Sequence, residues 1–293
     1  MLLRNLLFIP GNKPKMLAKA TGLGVDALII DLEDSVPASE KDTTRELVGE
    51  WLREVTLQDT ALIFVRVNAL STGLTELDLE STLCENVAGI CLPKAECAGD
   101  VEKLASLLDV LERRRNLKVG STRILALIES ARGLMRSYEI AGACPRVVAL
   151  AFGAEDYALD LGTQRSREGT ELFFPRSMLA VAARAAEVGA IDGVYSEISD
   201  EEGMLREVRL AKQLGFEGKL VIHPKQIQVV NGGLLPSEEE VAYARKVIAA
   251  FEEAQKAGTG AISLDDKMID MPVVKRAQKI LDLARKYNVG SNR

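Results

Sequence analysis

Short runs rich in Ile, Val and Leu alternate along this chain with longer stretches whose apolar residues recur at helical spacing. The short runs are Leu3–Ile9, Ala27–Leu32, Ala61–Val67, Val87–Leu92, Arg123–Ile128, Val147–Phe152, Ile191–Tyr195 and Lys219–Ile222. Their apolar continuity suits parallel strands buried on both faces. Between them the pattern predicts helices over Lys13–Thr21, Ser39–Val55, Glu76–Glu85, Ala98–Arg115, Ala131–Gly142, Pro175–Val188, Asp200–Leu214 and Ser237–Ala257. Pro175 stands where a first-turn proline would, Gly215 closes the helix that Asp200 opens, and Ser237 and Glu240 have capping-box spacing. Eight strands alternating with eight helices predict a (β/α)8 TIM barrel over 1–257, in preference to a doubly wound sheet. A hinge at Gly258 and Gly260 and a last helix, Val273–Tyr287, form a C-terminal segment over 258–293. That segment is expected to pack under the barrel, cover its mouth or reach a neighbouring subunit.

Composition narrows the function. The chain has 293 residues, 47% of them hydrophobic and 27% charged, which suits one large α/β domain. Its net charge is −6 and no basic stripe is present, which argues against a nucleic-acid binder. No apolar run approaches the roughly 18 residues that span a bilayer. The four cysteines form no C-x2-C pair, so structural zinc is not expected and a reducing cytoplasm is the simplest compartment. There is one histidine, His223, so a His-rich metal site within one chain is excluded. Carboxylates, arginine or lysine must carry most of the polar chemistry.

In a TIM barrel the chemistry lies at the C-terminal ends of the strands. Those ends deliver Asp31, Glu33, Asp34, Arg66, Lys94, Glu129, Asp156 and His223 to one rim. Glu129 and Asp156 follow neighbouring strands. Two carboxylates converging without histidine suit Mg2+, which leaves other positions to water and substrate. The competing reading pairs each with a rim arginine or a helix terminus. Asp31, Glu33 and Asp34 could add a ligand or an orienting group. Backbone N–H groups at Gly153 and Ala154 could hold a carboxylate. Arg66 needs an anion, from the protein or from a 2-oxo acid. Lys94 could form a Schiff base if its pKa were depressed, although anion positioning fits better. His223, beside Pro224, reads as a pocket wall more readily than as a base. Asp265, Asp266 and Asp270 lie in the tail, where acids are usually solvated.

Several segments carry a family resemblance: RNLLFIPGN (4–12), DALIIDLEDSVP (26–37), FVRVNAL (64–70), CLPKAE (91–96), LALIES (125–130), AFGAEDYALDLG (151–162), REGTELFF (167–174), LGFEGKLVIHPKQI (214–227) and GAISLDDKMIDMPVVKRAQ (260–278). The chain resembles the citrate lyase β-subunit (CitE-like) family of the HpcH/HpaI aldolase–citrate lyase superfamily over essentially its whole length. The resemblance implies a barrel with a C-terminal lid, usually in a homotrimer, and Mg2+ held by Glu129 and Asp156. It implies that Arg66 and the backbone around Gly153 and Ala154 bind the oxo acid. It implies that Asp270, supplied by the lid of an adjacent subunit, is the catalytic acid/base. Phe8, Pro10, Lys13, His223 and Pro224 are implied as the thioester-side wall. Two positions depart from the pattern: Asn5 replaces a usual Ser, and Asp266 a usual Gly in the lid turn.

The expected activity is Mg2+-dependent cleavage of a 3-hydroxyacyl thioester, of citryl, citramalyl or malyl type, into an acetyl-type thioester and a 2-oxo acid. The acyl group rides on coenzyme A or on an acyl carrier protein. Three alternatives stand beside it. They are a subunit of a citrate lyase complex acting on a carrier-bound citryl group, a metal-free aldolase using Lys94, and a non-catalytic thioester-binding protein.

Overall fold

The structure is a computed structural model that describes residues 3–56, 61–256, 261–287 and 289. Its internal contacts divide the chain into two units, one ending at Asn231 and one beginning at Gly232. In the first unit, β1 (Asn5–Pro10), β2 (Ala27–Asp31), β3 (Leu62–Arg66), β4 (Gly89–Leu92), β5 (Arg123–Ile128), β6 (Val147–Phe152), β7 (Gly189–Asp192) and β8 (Gly218–Val221) pair in parallel and close into a barrel. The TIM-barrel expectation holds. Around the barrel run α1 (Pro14–Leu17), α2 (Lys41–Glu54), α3 (Thr75–Thr82), α4 (Ala98–Arg114), α5 (Ala131–Met135), α6 (Ser137–Gly142), α7 (Ala154–Leu161), α8 (Thr170–Ala185), α9 (Glu201–Leu214) and α10 (Lys225–Leu234).

The strands' period of two fixes what fills the barrel and what reaches its mouth. Ala27, Ile29, Phe64, Leu125, Leu127, Ala149 and Ala151 pack into one buried cluster. Two residues further along the same strands come Asp31, Arg66, Glu129 and Gly153. The alternation that buries the core therefore also aims these four at the rim. Register levels the strand ends, with Pro10 opposite Asp31 and Asp31 opposite Arg66. Gly89 makes room in the core, because a Cβ there would lie 2.4 Å from the Phe64 ring. Asn5 is fully buried: its amide donates to Asn231 Oδ1 at 2.7 Å and its carbonyl accepts from Asp26 N at 2.9 Å.

Several elements differ from the sequence expectation. Pro175 lies six residues into α8 rather than in its first turn, so the Glu171 carbonyl lacks its usual helical donor. The seventh strand ends at Asp192, which leaves Tyr195 in a loop. The short helices α7 and α10 lie in stretches to which the pattern assigns no helix.

The second unit holds α11 (Glu238–Lys256), the hairpin strands β9 (Ile262–Leu264) and β10 (Lys267–Ile269), and α12 (Met271–Lys286). Its core is Ala244, Val247, Phe251, Ile269 and Ala277. The helix counted from sequence as the eighth of the barrel is α11, which belongs to this unit; α10 is the helix that follows β8. The hinge at Gly258 and Gly260, and the boundary at 257/258, lie outside the described residues. Asp265 and Asp266, between β9 and β10, have φ of 50° and 58°. Such values fit a two-residue hairpin turn, and aspartate tolerates them better than most residues. Asp266 therefore adopts the conformation for which glycine is the usual choice.

Candidate active site

Arg66 is built into the rim before any ligand arrives. Its Nε and Nη2 donate to the two oxygens of Asp31, both at 2.7 Å, in a bidentate fork. Asp31 also accepts the N–H groups of Glu33 at 2.9 Å and Ser35 at 3.1 Å. Burial pushes the Asp31 carboxyl up, but the Arg66 fork outweighs it and holds it below the ordinary carboxylate range. The guanidinium lies over the Phe8 ring, 4.9 Å from its centroid. Its remaining nitrogen, Nη1, sits 3.2 Å from Glu33 Oε2 and 3.3 Å from Asp34 Oδ2. The two uses weighed for Arg66 are thus not exclusive: a protein carboxylate orients it, and its guanidinium still lines the mouth.

Glu129 sits on the opposite side of the charge balance. It is buried, and its Oε1 accepts the Lys94 N–H at 2.7 Å. Burial pushes its carboxyl up to about 8, with the negative charges of Glu33 and Asp156 adding to the effect. Glu33 is also buried and also raised, mainly by burial, and its Oε2 has no hydrogen bond. Gly153 exists for this packing: a Cβ there would lie 2.4 Å from Glu129 Cβ and 2.5 Å from Glu129 Oε2. Asp156 lies in the first turn of α7 and is partly exposed. Its neighbour Glu155 turns away to Arg165 at 2.6 Å and Ser196 at 2.9 Å. A buried acid group with this excess of negative charge fits a hard cation. Among the described residues no set of three or more His, Cys, Asp or Glu side chains closes around a metal. Two carboxylates with open positions match the Mg2+ pattern, in which water and substrate complete the shell.

A cavity of about 420 Å3 opens on these groups. Phe8, Pro10, Arg66, Glu129, Gly153, Ala154 and Asp156 line it, together with Asp31 and Asp34. Sequence reading missed its apolar floor of Leu127, Phe152, Val194 and Leu220, and also Ile222. Strand parity was the available signal for Leu127, which stands two residues before Glu129. The Gly153 N–H is not free for a ligand, since it donates to Ile128 O at 2.9 Å. The donors that remain are those of Ala154, Glu155 and Asp156, in the first turn of α7. Lys13 is exposed at the start of α1, and Pro224 is exposed beside His223. His223 Nδ1 accepts the Lys225 N–H at 3.2 Å at the head of α10. Lys94 Nζ donates to Glu33 Oε1 at 2.8 Å. Burial opposes its charge, but Glu33 outweighs burial and raises its pKa well above the ordinary lysine range. A Schiff-base lysine needs the opposite shift. In the second unit, Asp270 caps α12, its Oδ1 accepting the Val273 N–H at 3.2 Å.

The model of the HpcH/HpaI aldolase/citrate lyase family matches residues 4–224. The chain belongs to this family. It is 42% identical over 281 residues to the citrate lyase subunit beta of Leuconostoc mesenteroides subsp. cremoris, covering 96% of this chain and 93% of that protein. It is 35% identical over 291 residues to the mitochondrial citramalyl-CoA lyase of Homo sapiens, covering 96% of this chain and 85% of that protein. Among solved structures it matches the CitE protein of Mycobacterium tuberculosis in complex with magnesium, acetoacetate and coenzyme A. The TM-score is 0.78 at 31% identity, over 97% of this chain and 98% of that one. The resemblance seen in the sequence motifs is therefore confirmed at the level of family and fold.

Proposed function

We propose that this protein is a Mg2+-dependent carbon–carbon lyase. It cleaves a 3-hydroxyacyl thioester reversibly into an acetyl-type thioester and a 2-oxo acid. The observation that carries the reading is the buried Glu129, whose raised carboxyl no described arginine or lysine side chain hydrogen-bonds, next to the partly exposed Asp156 and a preset Arg66. The magnesium and coenzyme A of the related CitE complex, and the lyase names of the relatives, support the same chemistry.

Glu129 and Asp156 would hold the metal. When bound, Mg2+ supplies a Lewis acid that polarises the carbonyl of the oxo acid. Arg66 and the first-turn N–H groups of α7 hold the oxo acid's carboxylate and orient it toward the apolar floor. The thioester lies along Phe8, Pro10 and Ile222, with Lys13, His223 and Pro224 at its outer end. On cleavage the 3-hydroxyl releases its proton to solvent as the C–C bond breaks, and Asp270, contributed by an adjacent copy, donates a proton to the enolate carbon of the thioester and is reprotonated from solvent; condensation runs the same transfers in reverse. The segment from 258 onward acts as the lid that brings it there.

The protein is a cytoplasmic homotrimer in this reading. Its four cysteines are free, which suits a reducing compartment. Met135, Tyr138, Leu159, Phe173, Phe174 and Val181 expose large apolar side chains on α5 to α8, a surface that a second copy of the chain would cover. Among the described residues no helix is long and apolar enough to cross a membrane. A second reading, a subunit of a citrate lyase complex acting on a carrier-bound acyl group, is favoured by the 42% relative, itself a subunit.

The test is condensation. Purified protein, Mg2+ and acetyl-CoA are mixed separately with glyoxylate, pyruvate and oxaloacetate, and new acyl-CoA masses are sought. A product with one acid is expected, and it is abolished in Asp156→Ala. Asp270→Asn should slow solvent proton exchange at the acetyl group by about 10²- to 10⁴-fold while sparing oxo-acid binding. Product from none of the acids, with an acyl carrier protein copurifying, would select the complex subunit instead.

A further inference from the structure

Glu129 and Asp156 form the wall between two cavities. One is the cavity described above; the other, of about 590 Å3, takes in Leu70, Lys94, Glu96 and Asp100. Lys94 is the single cation on the described lining of that second cavity. It engages four acids at once, one of them Asp34, whose Oδ1 lies 3.8 Å from its Nζ. Its N–H donates to Glu129 Oε1 at 2.7 Å, and its Nζ donates to Glu33 Oε1 at 2.8 Å and lies 3.8 Å from Asp156 Oδ2. The double grip depends on an unusual backbone, because Lys94 has φ of 51°. A left-handed conformation is strained at a lysine and unstrained at a glycine.

We propose that Lys94 is a positioning residue for the metal site: its N–H fixes Glu129, while its ammonium keeps Glu33 out of the metal's shell and sets how tightly a divalent cation is held. The inference rests on the assignment of Glu129 and Asp156 to Mg2+. A positive charge beside a ligand oxygen weakens the site for a cation. Removing that charge should therefore tighten metal binding, whereas damage to packing would loosen it. The sign of the change separates the two causes.

The experiment titrates Mg2+ calorimetrically into the full-length protein after chelation, with thermal unfolding of each variant alongside. Lys94→Met and Lys94→Gly should each bind Mg2+ about tenfold more tightly. Lys94→Arg should return close to the wild-type affinity. Lys94→Gly adopts φ of 51° without strain, so it decides the matter should Lys94→Met fail to fold. Unchanged or weaker binding in Lys94→Gly overturns the inference. Glu129→Gln serves as the control. If the wild type binds no Mg2+, or Glu129→Gln binds it equally well, the metal assignment falls and this inference with it. If Glu129→Gln abolishes binding while Lys94→Gly leaves it unaltered, the inference alone falls.

Discussion

Two buried glutamates in this barrel face opposite fates. Glu112, near the end of α4, is fully buried, and so very nearly is Glu129 at the rim. Glu112 accepts the N–H groups of Gly120 at 2.7 Å and Thr122 at 2.8 Å, and both oxygens accept from Arg146, at 3.0 and 2.6 Å. Burial alone would raise its carboxyl; Arg146 and the two backbone donors outweigh burial and bring it down to about 2. Glu129 has one backbone donor and two acidic neighbours, and it goes up to about 8. The same side chain at similar depth is satisfied in one place and left wanting a cation in the other. Burial of an acid therefore says little about function. The absence of built-in compensation is what distinguishes the site.

The largest expected effect falls on the uncompensated acid. Glu129→Gln or Asp156→Ala should lower lyase turnover by at least about 10³-fold and abolish Mg2+ binding. The equivalent change at the other acid, Glu112→Gln, should leave turnover per folded molecule and the Mg2+ affinity as they are. Steady-state rates and calorimetry on the same preparations check both halves. Wild-type rates in Asp156→Ala would break the comparison at its functional end.

The sequence displays the skeleton of this contrast but not its partners. The eight strands were legible because parallel strands buried on both faces need uninterrupted apolar runs. Strand parity then places Asp31, Arg66, Glu129 and Gly153 in line with core residues two positions earlier. What stayed hidden is long-range. Asp31 and Arg66 are joined by a register between strands that no local pattern specifies. The tie from Lys94 to Glu33 depends on a left-handed turn at a residue that carries no glycine signal. Helix α7 was overlooked although its signals were present, with acids in the first turn and Gly162 left-handed at the end. The β9–β10 hairpin hides because aspartates fill a turn usually announced by glycine or asparagine.

Stability should next separate the two acids. Glu112→Ala leaves Arg146 buried without its main partner, so the fold should lose about 3–5 kcal/mol. Chemical denaturation at pH 7 measures this. The pH dependence follows from the sign of the shift. Glu112 binds its proton less readily in the folded chain than in the unfolded one, whose value is 4.5. Its stabilising contribution is therefore complete above that value and is lost as pH falls from there toward about 2. Glu112→Gln should flatten this acid limb, and an unchanged limb would show that other carboxylates govern it.

The smallest effect is the most direct probe of the difference. In metal-free protein, Glu129→Gln keeps an oxygen to accept the Lys94 N–H and removes the repulsion with Glu33 and Asp156. The amide also spares the proton uptake that a carboxyl raised to about 8 requires on folding at pH 7. Metal-free stability should therefore rise by about 1 kcal/mol, while Glu112→Gln lowers it. Saturating Mg2+ should reverse the order at Glu129, because only the wild-type carboxylate gains the binding free energy of the ion. Denaturation with and without Mg2+ supplies the four values required. If Glu129→Gln destabilises the metal-free fold as Glu112→Gln does, the rim carboxylate is compensated from within the protein, and its selection as a cation ligand loses its physical basis.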